Sequence, residues 1–162
     1  MKHILSLISV LFLSCFSIKA QISGVIGVDR DKLSFSTLDG YDILHVADIN
    51  ETTSDVGAPL LPVITKTFVI PWNAKVSELD ITCNSRQSLD GTFMPYPTQE
   101  PIKVEVQSIT SSTLPDSSIY NGNSLYPSKH AFIIADYIMM GYRLVKIQFN
   151  PIEYDPVTRK IY

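Results

Sequence analysis

The stretch Gly57-Ala-Pro-Leu-Leu-Pro-Val-Ile-Thr-Lys-Thr-Phe-Val-Ile-Pro71 decides how the chain is read. Pro59, Pro62 and Pro71 each fix φ and lack an N–H, so none belongs inside a helix or a central strand. Between Pro62 and Pro71 the sequence is rich in Val, Ile, Thr and Phe, which suit a pleated, half-buried surface. A rigid extended lead-in, a strand and a hard stop together predict a docking element rather than a catalytic loop.

On either side of this stretch, short runs of alternating polarity are separated by turn residues, and no segment after residue 20 sustains a helical stripe. The sequence therefore predicts a single antiparallel all-β, sandwich-like domain over residues 21–162. Strands are expected at 24–29, 33–35 and 41–47, with Asp39-Gly40 as a tight turn. Asp90-Gly91 marks another turn, and residues 102–107 show the cleanest alternation of all. Residues 111–130, rich in Ser, Pro, Asn and Gly, read as a long surface loop. The chain then re-enters the sheet at 131–139, turns at Gly141 and returns over 142–149. A last strand after Pro151 and a turn at 155–158 lead to Ile161-Tyr162, in the middle of an element. A strand begun and not finished predicts an unpaired edge, a hazard of self-pairing, and further protein beyond it.

Residues 1–20 stand apart. Lys2 and His3 precede an apolar run with no acidic residue, and Ala20 offers a cleavage point before Gln21. This reads as a secretory signal peptide, with an apolar core too short for a comfortable membrane span. The alternative, a lipoprotein signal with Cys15 as the lipidated residue, meets a bulky Leu13 where a small residue is usual. Export through the Sec pathway is expected, to the periplasm, the cell surface or the medium. Two of the 13 Lys+Arg and none of the 16 Asp+Glu lie in this segment, so the exported part is mildly acidic. It has no basic stripe and no electrostatic reason to bind nucleic acid or an anionic membrane.

Chemistry-bearing residues are few. Cys83 is the one cysteine after residue 20, and the alternation Leu79, Ile81, Cys83 against Asp80 and Thr82 predicts a thiol packed on the apolar face of a strand. His45, within Ile43-Leu44-His45-Val46, reads as a satisfied strand histidine, and His130 as an exposed residue before a strand. Neither is spaced with the other or with Cys83 as a metal motif, so no metal or cofactor is expected. There is no Gly-x-Ser-x-Gly and no phosphate-cradling glycine loop. Asn50-Glu51-Thr52 fits a glycosylation sequon. The expectation is a module without chemistry of its own; Cys83 open to solvent beside His45 or His130 in a cleft would contradict it.

In order and spacing, several short motifs resemble the N-terminal propeptide of gingipain-type (family C25) cysteine peptidases, secreted by Bacteroidetes. They are Gly57-x-Pro59-x-Leu61-Pro62, the Ile70-Pro71 stop, Gly141-Tyr142-Arg143, and Asn150-Pro151-Ile152-Glu153-Tyr154-Asp155-Pro156, with Tyr41-Asp42-Ile43-Leu44 upstream. The resemblance spans residues 22–162. It implies a non-catalytic β prodomain that folds against a cysteine peptidase catalytic domain, acts as its intramolecular chaperone and inhibitor, and blocks its substrate cleft, with strand addition along the enzyme as one means. It also implies a basic side chain on an exposed loop that fills the specificity pocket. Arg86, Lys129, Arg159 and Lys160 are the candidates, each with a solvated surface charge as the alternative. Arg143 is expected to have a structural duty in its strand. No peptidase domain or sorting domain follows, so the peptidase is expected in cis if the chain is a fragment and in trans otherwise. A surface adhesion or assembly module with an immunoglobulin-like sandwich is the rival reading, since architecture alone does not fix function.

Overall fold

The computed structural model describes residues 21–101 and 112–162. The signal-peptide reading and the strand expected at 102–107 lie outside the described residues. After a short 3-10 turn, Arg30–Lys32, come β1 (Leu33–Leu38), β2 (Tyr41–Val46), β3 (Ile64–Pro71), α1 (Ser117–Tyr120), β4 (Ala131–Met139), β5 (Tyr142–Phe149), β6 (Tyr154–Asp155) and β7 (Lys160–Ile161). The protein is all-β with antiparallel sheets: the hairpin β1-β2, a three-stranded sheet ordered β3-β5-β4, and the small pair β6-β7. Asp39 and Gly40 make the β1-β2 turn with φ of 52° and 82°, and Met140 and Gly141 make the β4-β5 turn with φ of 50° and 80°. Glycine takes this left-handed region at no steric cost, which is why each corner carries one.

The stretch expected as a docking element divides: its Gly57–Val63 lead-in is the interior of the domain, whereas Val69 and Pro71 of β3 are exposed. Leu61 is 0% exposed and Ala58 1%. The segment is laddered on both sides. Val63 N donates to Glu51 O and Thr53 N to Leu61 O, while Gly57 N donates to Thr98 O, Thr98 N to Ala58 O and Leu60 N to Tyr96 O, all at 2.8–2.9 Å. The Thr53 hydroxyl closes the gap, donating to Pro59 O at 2.7 Å and accepting from Leu61 N at 3.0 Å. Pro59 and Pro62 fall where the ladder requires no N–H. Around Leu61 the core gathers Leu44, Val46, Tyr120, Ile152, Tyr154 and Ile161.

Three further expectations are corrected. Residues 24–29 form no strand. The loop before β4 contains α1, capped by the Asp116 carboxylate accepting from Ser118 N at 2.8 Å, and it delivers Tyr120 into the core, where its hydroxyl donates to Pro95 O at 2.7 Å. The final strand is not an unpaired edge. β7 pairs with β6, and on its other side Ile161 O and Arg159 O accept from Leu89 N and Phe93 N at 2.8 Å. Ile161 is 1% exposed, so burial holds this strand as firmly as its ladder does.

Truncating Leu61→Ala should lower the unfolding free energy by about 2–5 kcal/mol, the cost of a cavity in a site that cannot collapse. Val157→Ala, at a side chain 66% exposed, should stay within about 0.5 kcal/mol. Urea titration followed by circular dichroism checks both, and equal effects would remove Leu61 from the centre of the core.

Candidate functional site

The three-stranded sheet has one face that its own chain leaves open. Strand register sorts the side chains. In β5, Arg143, Val145, Ile147 and Phe149 point one way; they stand opposite Ile70, Phe68, Lys66 and Ile64 of β3. Val145 and Ile147 are 1% and 6% exposed. On the opposite face, Val69 pairs with Leu144 and Leu144 with Tyr137, while Pro71 pairs with Tyr142 and Tyr142 with Met139. These make two apolar rows across all three strands. Val69, Tyr137, Met139 and Tyr142 are between 47% and 61% exposed, and Trp72, just beyond β3, is 63% exposed. Among the described residues nothing covers these rows, and a contiguous exposed apolar surface marks a candidate interaction site.

Val69 and Pro71 lie in the Gly57–Pro71 stretch and Tyr142 in the Gly141-Tyr142-Arg143 motif, but nothing in the sequence marks them as one surface. The available signal was β4 itself, whose Phe132-Ile-Ile and Tyr137-Ile-Met runs are apolar on both faces. Such a strand is ordinarily buried on both sides. Here it is an edge strand with a register shift between Ile133 and Ala135. Arg143 has the structural duty expected of it. Its guanidinium donates to both Asp136 oxygens, at 2.6 and 2.8 Å, and to Ala74 O at 2.9 Å, tying the chain after β3 to the β4-β5 hairpin. The hydrogen bond from Arg143 holds the Asp136 carboxyl below the usual carboxylate range.

The four basic candidates are scattered. Arg86 pairs with Glu153 and lies 5.0 Å from the Tyr162 ring centroid, so its head group is engaged within the domain. Arg159 is exposed, at φ 53°, in the turn between β6 and β7, and Lys160 is half-buried in β7. Lys129 is exposed at the loop end before β4, and its carbonyl accepts from Asn150 Nδ2 at 2.7 Å. It lines a groove of about 610 Å³ with Tyr126, Phe132 and Ile133. Of the motif residues, Gly57, Pro59, Leu61 and Pro62 are buried in the core segment, while Pro71 ends an edge strand, Gly141 sits in the hairpin turn and Pro151 is half-buried after β5.

Cys83 is exposed, which corrects the expectation of a buried strand thiol. Residues 74–89 form no strand, and Ile81 is itself 37% exposed. Alternation there reflects no ladder, because among the described residues no strand makes backbone hydrogen bonds with residues 75–88. The sulfur lies 3.7 and 3.8 Å from the two ring nitrogens of His130 in a shared cleft, the arrangement that contradicts the expectation of a module without chemistry of its own. His45, also exposed, meets Ser36 Oγ at 2.7 Å across the β1-β2 hairpin, a satisfied strand histidine. Among the described residues no group of three or more His, Cys, Asp or Glu is placed to hold a metal ion, and no helix is long and apolar enough to cross a membrane.

The laddered β architecture with its open sheet face defines an all-β module, and sequence comparison places it. Residues 37–162 match the family described as Propeptide_C25, and the chain belongs to that family. Among solved structures it is similar to the complex of the pro- and mature domains of RgpB from Porphyromonas gingivalis, with a TM-score of 0.62, 19% identity, and coverage of 80% of this chain and 68% of that one. It is equally similar to a structure bearing on the zymogenic latency of gingipain K from the same organism, with a TM-score of 0.61, 18% identity, and coverage of 80% and 72%. At these identities the likeness shows the fold. No curated protein sequence matches the chain.

Because the folded Asp136 carboxyl is lowered, its contribution is present above the ordinary carboxylate range and is lost as pH falls through the folded value. Carbon NMR of this carboxyl should show titration below that of an unpaired aspartate, and Arg143→Met should return it to the ordinary range. An unchanged titration in the variant would disconnect the two groups.

Proposed function

We propose that this chain is an exported, non-catalytic prodomain that binds a gingipain-like cysteine peptidase, assists its folding and keeps it inactive by covering its substrate cleft. Membership of the propeptide family supports the partner class. The observation that carries the contact is the open apolar sheet face formed by Val69, Leu144 and Tyr137 with Pro71, Tyr142 and Met139. Aromatic and aliphatic side chains on a rigid sheet lose little entropy on docking, so burying them yields net affinity.

Among the basic candidates, Lys129 is the side chain we assign to the specificity pocket. It is exposed, its backbone is pinned by Asn150, and it lies at the start of the edge strand β4. Arg86 serves instead to hold Glu153. Arg159, exposed in the β6-β7 turn, acts as a surface charge, and Lys160 is half-buried in β7, paired with Asp155 in the β6-β7 register.

The purified chain should inhibit its cognate peptidase in a dose-dependent assay. Tyr137→Lys should weaken inhibition by about 2 kcal/mol or more, roughly thirtyfold, without unfolding the domain, since the side chain is 47% exposed. Lys129→Ala should weaken inhibition while Arg159→Ala leaves it unchanged. Full potency in Tyr137→Lys would sink the sheet-face contact, and full potency in Lys129→Ala would remove that residue from the pocket.

A further inference from the structure

Cys83 opens onto a cleft of about 560 Å³ that it shares with Arg86, His130, Ile152, Glu153 and Tyr162. Beyond the thiol–imidazole contact stands a third group: Glu153 Oε1 is 3.4 Å from His130 Nδ1. The Glu153 side chain is 10% exposed, and Arg86 holds its other oxygen. Nucleophile, base and orienting carboxylate thus stand in series, the arrangement that activates a thiol. The sulfur lies almost equally far from the two ring nitrogens, so a small rotation of the imidazole brings Nε2 into line while Nδ1 stays beside the carboxylate.

The scaffold beneath this series is firm where the base and carboxylate sit. His130 O accepts from Asn150 N at 2.7 Å, and Glu153 exchanges backbone hydrogen bonds with Tyr162 at 3.0 and 2.9 Å. Cys83 instead comes from residues 75–88, which make no backbone hydrogen bonds to a described strand, so the thiol can move toward an incoming molecule. The Arg86 guanidinium, held first by Glu153, also lies within electrostatic reach of Cys83. A packing cysteine needs none of these neighbours.

We propose that Cys83 is a thiol–disulfide exchange site that captures a small disulfide in the cleft. The Cys83 thiol passes its proton to His130, and the thiolate attacks one sulfur of the incoming disulfide. A mixed disulfide forms on Cys83 as the reagent's own S–S bond breaks. The departing thiolate then takes the proton from His130 and leaves as a thiol. The incoming disulfide is the oxidant and is reduced; Cys83 is oxidised. Residues 21–162 contain no second cysteine, so no other thiol among them resolves the adduct, and a thiol from outside them reverses it.

The test uses the full chain carrying Cys15→Ser, so that one thiol reports, and follows release of the chromophore from dithiobis-nitrobenzoate at neutral pH. The folded chain should react about tenfold faster than the same chain in urea, and His130→Phe should remove that advantage with the circular dichroism spectrum unchanged. His130→Gln, which keeps a polar side chain but cannot take the proton, gives the same expected loss should the phenylalanine variant fold poorly. Glu153→Gln should show a smaller loss that Glu153→Asp restores, as befits a positioning residue. Oxidised glutathione should leave one adduct per chain by mass spectrometry. A folded rate no higher than the unfolded rate, or one indifferent to His130, overturns the site. Neither assay involves a peptidase, so the outcome is independent of the inhibitor reading.

Discussion

The fold depends on one constraint: the segment from Gly57 to Val63 must be hydrogen-bonded on both sides while its apolar side chains are removed from water. A buried backbone that lacks partners costs more than its side chains recover. This segment meets the requirement with residues 51–53 on one flank and 96–98 on the other. Its prolines would break an ordinary central strand. Here they occupy positions from which no donor is asked, and the Thr53 hydroxyl serves as acceptor for one neighbouring group and donor for another. Because β3 begins immediately after Val63, the same constraint sets where the three-stranded sheet emerges.

Much of the architecture was legible for local reasons. Asp39-Gly40 and Gly141 needed left-handed backbone, and alternation with a glycine corner gave Ala131–Met139 and Tyr142–Phe149 their bounds. The misreadings share a cause. Proline reports that backbone donors are missing, not whether the residue is inside or outside, so the buried lead-in passed for a docking element. Alternation reports which way side chains would point if a strand existed, not whether a neighbour pairs with it. That is why Cys83 was expected inside and is found outside. The Asp116-Ser117-Ser118 cap was a readable signal for α1, but a helix of four residues leaves no stripe.

The candidate site was legible only in part. Family motifs pointed to residues that build the core and the turns, whereas the open face is assembled by register across β3, β5 and β4, which no single segment contains. Lys129 and His130 were visible as loop residues. Their fixation was not, since it comes from Asn150, distant in sequence: its side chain donates to Lys129 O and its backbone to His130 O. One asparagine thus positions the basic side chain assigned to inhibition and the imidazole assigned to thiol exchange.

The edges of the three-stranded sheet favour contact through its face over strand addition. An edge recruits a foreign strand when it is long, flat and rich in free donors. On one side Pro71 closes β3 and offers no donor; on the other, the register shift between Ile133 and Ala135 interrupts β4. Both devices make a poor template for backbone pairing while leaving the two apolar rows intact. Lys146 shares that face with the rows, and Asp136 and Arg143 pair on the other, so charge limits indiscriminate association without covering the rows themselves. A sheet built in this way offers a poor template at its edges while its two apolar rows stay exposed on the flat.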